Sequence, residues 1–303
     1  LNNFSAGVIN KLKIDYEHLS KINQRIITCS ITGFGESGPS SIRPAYDNII
    51  QAYSGGMSIT GENLKSPVRA GIPIADLSGG LYGVIGVLSS LLAREKTQTG
   101  QHIDISLLDV QISLLTYMMT MHTLSGLDPK PIGNAHFVHV PFNSFTTKDG
   151  FIVIAVITNE FWQSLLDVVQ IDQLRDKRFS EPVDRLKNQK FIENLLNKKL
   201  KTSTSDYWLE RLNKARVPCA PINSFSKAIS DEQVIYRNMV VEVDHPDGGK
   251  VKMPGNPIKM SVTSKDSFSP PPHLGQHTAE ILKAWCNYSL SDIEGLIKRD
   301  VIA

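Results

Sequence analysis

The chain has 303 residues, with 32 basic against 30 acidic side chains and a formal net charge of +2. That balance excludes the basic footprint of a nucleic-acid or membrane-surface binder, and the length is enough to bury a substantial core in two domains. Cys29, Cys219 and Cys286 are few, odd in number and widely spaced, which excludes a disulfide framework and a zinc spacing and suits a reducing compartment.

In chain order, residues 9–22 are polar-rich with Leu12, Tyr16 and Leu19 at helical spacing, which predicts a helix. The β-branched run 25–32 predicts a buried strand. It ends in Gly33-Phe34-Gly35-Glu36-Ser37-Gly38-Pro39. A glycine loop at a strand end is either a plain turn or a place where backbone approaches a ligand phosphate or thioester, and this one lacks the lysine and spacing of a P-loop. Residues 43–53 predict a helix closed by Ser54-Gly55-Gly56.

The stretch Gly71-Ile72-Pro73-Ile74-Ala75-Asp76-Leu77-Ser78-Gly79-Gly80 leads into an apolar run over residues 81–93. That run falls short of the ~20 residues a bilayer span needs. The pattern places Asp76 at or near the N-cap of a helix, with Ser78, Gly79 and Gly80 in its first turn. A carboxylate there faces free N–H groups and the positive end of the helix, which predicts that it stays ionised well below neutral pH. Glycines beside it let a thin ligand come close. Such a carboxylate suits nucleophilic attack on an activated acyl group, and the same placement suits a plain helix cap; local sequence leaves both open. Residues 94–100 make a helix exit, residues 101–108 alternate as a strand, and Asp109 is expected to cap a helix running to about residue 124. His102 reads as a strand-surface residue, with no second metal-spaced partner nearby.

Residues 125–132 turn to Gly, Asp and Pro and read as the start of a linker. A hairpin is predicted over 141–146 and 151–156, around Lys148-Asp149-Gly150. Helices follow at 160–169, 187–199 and 207–215, then the extended Val217-Pro218-Cys219-Ala220-Pro221. A second hairpin encloses Pro246-Asp247-Gly248-Gly249, and Pro270-Pro271-Pro272 is a stiff spacer before helices at 278–285 and 291–298. His136 and His139, three apart without further ligand spacing, read as loop histidines, and Cys219 as a small apolar residue. No metal site is expected.

Taken in order, these pieces resemble the family III coenzyme A transferases (CaiB/BaiF type). The family also holds formyl-CoA transferases, carnitine CoA-transferases and α-methylacyl-CoA racemases. The likeness runs through Asn3-Phe4, Ser30-Ile31-Thr32-Gly33-Phe34-Gly35, Ala45-Tyr46-Asp47-Asn48, Ser54-Gly55-Gly56 and Ala75-Asp76-Leu77-Ser78-Gly79-Gly80. It continues through Thr99-Gly100-Gln101-His102-Ile103-Asp104, Lys148-Asp149-Gly150, Val217-Pro218 and Leu274-Gly275-Gln276-His277-Thr278. The polyglycine loop of formyl-CoA transferases is absent, and Val140-Pro141-Phe142-Asn143-Ser144-Phe145 is closer to the succinyl-CoA:dicarboxylate (glutarate-type) branch.

The resemblance implies an α/β fold in which residues 1–125 and 262–303 form a Rossmann-like, coenzyme A-binding catalytic domain, truncated at its start. Residues 126–261 then form linkers and a smaller α+β domain. Leu1-Asn2-Asn3-Phe4 reads like the interior of a longer protein, and the family's opening strands are expected to be missing here. An interlocked homodimer is expected of the complete protein. Asp76 is implied as the covalent nucleophile that accepts an acyl group from an acyl-CoA, passing through mixed-anhydride and aspartyl-CoA intermediates. Asn3, Phe4 and Lys11 fall at the nucleotide end of coenzyme A, Lys11 replacing an arginine, and Tyr46 and Asn48 fall beside the thioester. Coenzyme A thioesters and a free, dicarboxylic acid are the implied substrates, with no permanently bound cofactor, nucleic acid or membrane partner. The implied location is the mitochondrial matrix in a eukaryote, and otherwise the cytoplasm. Two alternatives remain: an inactive truncated form, and an α-methylacyl-CoA racemase, against which stand Tyr46 and Thr158 where racemases carry a histidine and a glutamate.

Overall fold

Residues 1–263 and 267–302 are described by the computed structural model, and the chain is mixed α/β. It divides into two units, Leu1–Pro221 and Ile222–Ala303.

The predicted helix over 9–22 is two, α1 (Val8–Lys11) and α2 (Tyr16–Ile22). Lys13 turns the chain with φ 57°, and Asp15 then restarts it by accepting the His18 N–H at 3.3 Å; an Asp N-cap stabilises a new first turn by about 1 kcal/mol. β1 (Thr28–Thr32) is followed by α3 (Asp47–Tyr53), α4 (Gly56–Ile59), α5 (Ile74–Thr97) and β2 (His102–Ser106). β1 and β2 pair in parallel, in register from Thr28↔His102 to Thr32↔Ser106. A parallel pair needs a crossover, and α5 lies in that crossover and packs on both strands. On the other edge of β1, Asn2 forms a parallel bridge, donating to Cys29 O and accepting from the Ile31 N–H, each at 2.9 Å.

The glycines of α5 are there for packing. A Cβ on Gly79 would sit 2.3 Å from Leu107 Cδ2, and one on Gly86 2.9 Å from Ile103 Cγ2. By length and composition α5 is apolar enough to cross a bilayer, and its glycine face packs closely on Leu107 and Ile103. Its other face leaves Leu81, Ile85, Leu88 and Leu92 exposed. Asp109 does not cap the next helix. Ser106 does, its Oγ accepting the Asp109 N–H at 3.1 Å, and the helix begins earlier as α6 (Leu107–Leu114). A break at Thr116, with φ 47°, separates it from α7 (Thr116–Ser125). The small core here is Phe34, Ile50, Ala75 and Leu107.

The larger core lies further on, around the predicted hairpin β3 (Phe142–Thr146) and β4 (Phe151–Ala155). α8 (Asn159–Val169), α9 (Pro182–Lys187), α10 (Gln189–Leu200) and α11 (Ser205–Lys214) follow, and β5 (Cys219–Pro221) pairs with β4 to complete an antiparallel sheet of order β3-β4-β5. The helix expected at 187–199 begins instead at Gln189, after a cap at Asn188 that also ends α9. Trp162, Leu165, Leu196 and Leu212 from three of these helices bury against Phe145, Ile152 and Ile154 of the sheet.

In the second unit, α12 (Phe225–Ile229) and α13 (Glu232–Tyr236) precede the hairpin β6 (Val240–Asp244) and β7 (Lys250–Pro254). α14 (Thr278–Cys286) and α15 (Leu290–Lys298) close it, α15 starting from a capping box between Ser289 and Asp292.

Candidate active site

The start of α5 differs from its sequence reading in one respect that matters. The N-cap is Pro73, which contributes no side-chain bond, and Asp76 is the third helical residue. Ser78, Gly79 and Gly80 therefore sit one turn further in. The free N–H of Ala75 is satisfied by Asp47, whose Oδ1 accepts it at 2.8 Å from the first residue of α3. Asp47 is buried; its Oδ2 accepts from Gln51 Nε2 at 2.6 Å, and Gln51 Oε1 accepts from the Ala70 N–H at 2.8 Å. This chain of bonds ties the loop before α5 to α3.

With the cap supplied from elsewhere, the Asp76 carboxylate is spared that work. Among the described residues no hydrogen bond or ion pair engages it, and the side chain is exposed. Its carboxyl is raised above the ordinary value, first by partial burial and then by the Asp47 carboxylate. The sequence expectation had the helix end holding it low; the like charge of Asp47 and the loss of water act the other way.

Asp76 lines a cleft of about 470 Å³ together with Asn3, Phe4, Arg43 and Tyr46, with Thr32 and Gly33 at the end of β1. The Asn2 bridge to β1 brings Asn3 and Phe4 there, and the Phe4 N–H is held by Asn2 Oδ1 at 3.2 Å. Gly33 admits the next wall of the cleft, since a Cβ on it would lie 2.3 Å from Ala45 Cβ. Tyr46 is the N-cap residue of α3 and 79% exposed. Four of the six singled-out residues thus come together. Lys11, at the end of α1, and Asn48, on α3, are exposed and do not line this cleft.

Arg43 was not singled out from the sequence. Its guanidinium carbon stands 5.0 Å from the Phe34 ring centroid and 5.1 Å from that of Tyr53. The available signal was its place directly before Pro44-Ala45-Tyr46. His102 braces the glycine loop, with Nε2 2.6 Å from Glu36 Oε2 and Nδ1 2.8 Å from Thr28 Oγ1. The His136 and His139 rings lie 4.6 Å apart between centroids, tilted at 39°, and do not line the cleft. Burial pushes the Cys29 and Cys219 thiols up, away from thiolate chemistry. What the cleft offers chemically is an unengaged carboxylate at a helix start, glycines beside it and one guanidinium.

The sequence pattern of CoA-transferase family III matches residues 1–278. The succinyl-CoA:glutarate CoA-transferase of Mus musculus is 34% identical over 303 residues, covering 100% of this chain and 70% of that protein. The acetyl-CoA:oxalate CoA-transferase of Acetobacter aceti is 38% identical over 261 residues, covering 86% of this chain and 66% of that protein. The crystal structure of a CAIB/BAIF family protein from Brucella suis superposes with a TM-score of 0.79 at 36% identity, over 92% of this chain and 73% of that one.

Proposed function

The chain belongs to CoA-transferase family III, and from that premise we propose that it moves coenzyme A from succinyl-CoA to a free dicarboxylic acid such as glutarate, with Asp76 as the covalent nucleophile. The observation that carries the reading is the unengaged Asp76 carboxylate in the first turn of α5, lining one cleft with Asn3, Phe4 and Tyr46. Relatives named for glutarate and for oxalate, both dicarboxylic acids, support the substrate class.

The sequence of steps is balanced without an outside reagent. The Asp76 carboxylate attacks the thioester carbonyl of the donor, and coenzyme A leaves as thiolate, giving an acyl–aspartyl anhydride. The thiolate attacks the aspartyl carbonyl, which releases the donor acid and leaves an aspartyl-CoA thioester. The acceptor carboxylate attacks that thioester and frees the thiolate again, forming an acceptor–aspartyl anhydride. Thiolate attack on the acceptor carbonyl yields the new acyl-CoA and restores Asp76. Thioester exchange conserves the activated bond throughout.

Asn3 and Phe4 are assigned to the nucleotide end of coenzyme A and Tyr46 to the thioester side. Lys11 and Asn48 lie outside this cleft in the chain, so contacts from them require a longer reach of the cofactor. The assembly is a homodimer in this reading, supported by the exposed apolar face of α5, which a partner surface would cover. The test is to quench turnover of succinyl-CoA with hydroxylamine and map the adduct by mass spectrometry. A hydroxamate at Asp76 is expected; transfer that proceeds while Asp76 stays unmodified overturns the mechanism.

A further inference from the structure

We infer that Arg43 holds the free carboxylate at the far end of the dicarboxylic substrates while their reacting carboxyl carbon meets Asp76; the inference rests on the transferase reading above. Among the described residues lining the cleft, Asp76 is the one acid and Arg43 the one cation. They are not paired with each other, and no ion pair or side-chain hydrogen bond engages the Arg43 guanidinium. It is held in place instead by two aromatic rings, at 5.0 Å from Phe34 and 5.1 Å from Tyr53, which themselves meet edge to face at 5.3 Å. Phe34 belongs to the small buried core, so this support is anchored in the fold.

The nucleophile must be ionised to attack, and a dicarboxylate brings two further negative charges into the same cleft. Without a cation, repulsion opposes binding of the substrate by the group that must react with it. A guanidinium presents a planar fork that matches a carboxylate with two parallel hydrogen bonds, and its aromatic support leaves its N–H edge available for them. Succinyl-CoA carries one free carboxylate, and so does each dicarboxylic acid once its other end has reacted. One cation can therefore serve both halves of the exchange. A phosphate of coenzyme A offers the same fork chemistry, and the experiment separates the two.

Equilibrium binding of glutarate, of pentanoate and of free coenzyme A is measured on the parent, on Arg43→Met and on Arg43→Lys, alongside kcat and KM for each acid. Methionine keeps an apolar chain against the two rings and removes the charge. The parent is expected to bind glutarate more tightly than pentanoate. Arg43→Met should weaken glutarate roughly 10- to 100-fold, the range expected for a charge-assisted pair, and raise its KM more than it lowers kcat. Pentanoate and coenzyme A should change little, and Arg43→Lys should keep part of the preference. Equal losses for both acids, or a loss confined to coenzyme A, overturn the inference, the latter placing a phosphate on Arg43. A parent that binds glutarate through Arg43 but transfers no coenzyme A sinks the functional reading and leaves the Arg43 site standing. If Arg43→Met fails to fold by circular dichroism, the lysine variant decides: full loss of glutarate preference there, with the charge still present, rules against charge recognition.

Discussion

Asp47 Oδ1 accepts a 2.8 Å hydrogen bond from the Ala75 N–H, so the residue next to the candidate nucleophile is fixed by a carboxylate 28 positions upstream. One buried side chain thereby sets the start of α5, holds Gln51 and lends its charge to the surroundings of Asp76.

Removing that side chain should cost stability. Asp47→Ala leaves the Ala75 N–H and the Gln51 amide without their partner in a buried place, a loss of about 2–4 kcal/mol. Denaturant unfolding of parent and variant gives the difference, and a change under about 0.5 kcal/mol would mean that water or a shifted loop replaces the bond.

The charge of Asp47 can be tested apart from its shape. Asp76 must be ionised to attack, and Asp47 raises its carboxyl, second to burial. Asp47→Asn removes the like charge, so the Asp76 carboxyl falls and stays ionised to lower pH. The acid limb of the kcat/KM profile should move down in pH; movement upward would contradict the assignment.

Asp76→Asn keeps the size and removes the charge of the proposed nucleophile. Turnover should fall by several orders of magnitude, as is usual for loss of a covalent group. Because Asp76 is exposed and unengaged, unfolding stability should stay within about 0.5 kcal/mol of the parent. Transfer near the parent rate in the Asn variant would remove Asp76 from the mechanism.

Racemase chemistry requires a base on each side of the carbon next to the thioester. The family resemblance puts Tyr46 and Thr158 at those positions, and Thr158 Oγ1 is occupied in capping α8, accepting the Phe161 N–H at 3.3 Å. With a 2-methylacyl-CoA in deuterated water, no deuterium should enter at that carbon and the stereocentre should survive, as read by NMR. Exchange on the timescale of turnover would bring the isomerase reading back.

Gly100 sits close against the neighbouring backbone. A Cβ there would lie 1.7 Å from Ile26 O, while its own N–H donates to Gln24 O at 2.9 Å and its carbonyl accepts from Tyr16 Oη at 2.8 Å. Gly100→Ala should therefore destabilise by about 3 kcal/mol or more, at the upper end for overpacking. Thermal unfolding of the variant measures it, and a loss below about 1 kcal/mol would show that the loop yields easily.

By itself the sequence determined the local grammar. The β-branched run 25–32, the alternation from Gln101 to Leu108 and the turn at Lys148-Asp149-Gly150 each specify a strand or hairpin through short-range preference and period, and each is found, the two strands shortened to Thr28–Thr32 and His102–Ser106. The order of motifs pointed to the family, and an acid ahead of two glycines pointed to Asp76. Only the tertiary structure decided what Asp76 is free to do. Which carboxylate satisfies a helix's first N–H groups depends on who comes near in space, and Asp47 takes that bond from α3. The same holds for Arg43, whose place rests on Phe34 and Tyr53 on either side of it in sequence. It holds also for the helix breaks at Lys13 and Thr116, where residues without glycine's freedom take positive φ because the packed chain requires a turn. Periodicity reports the face a residue is on; it carries no information about the partner that face will meet.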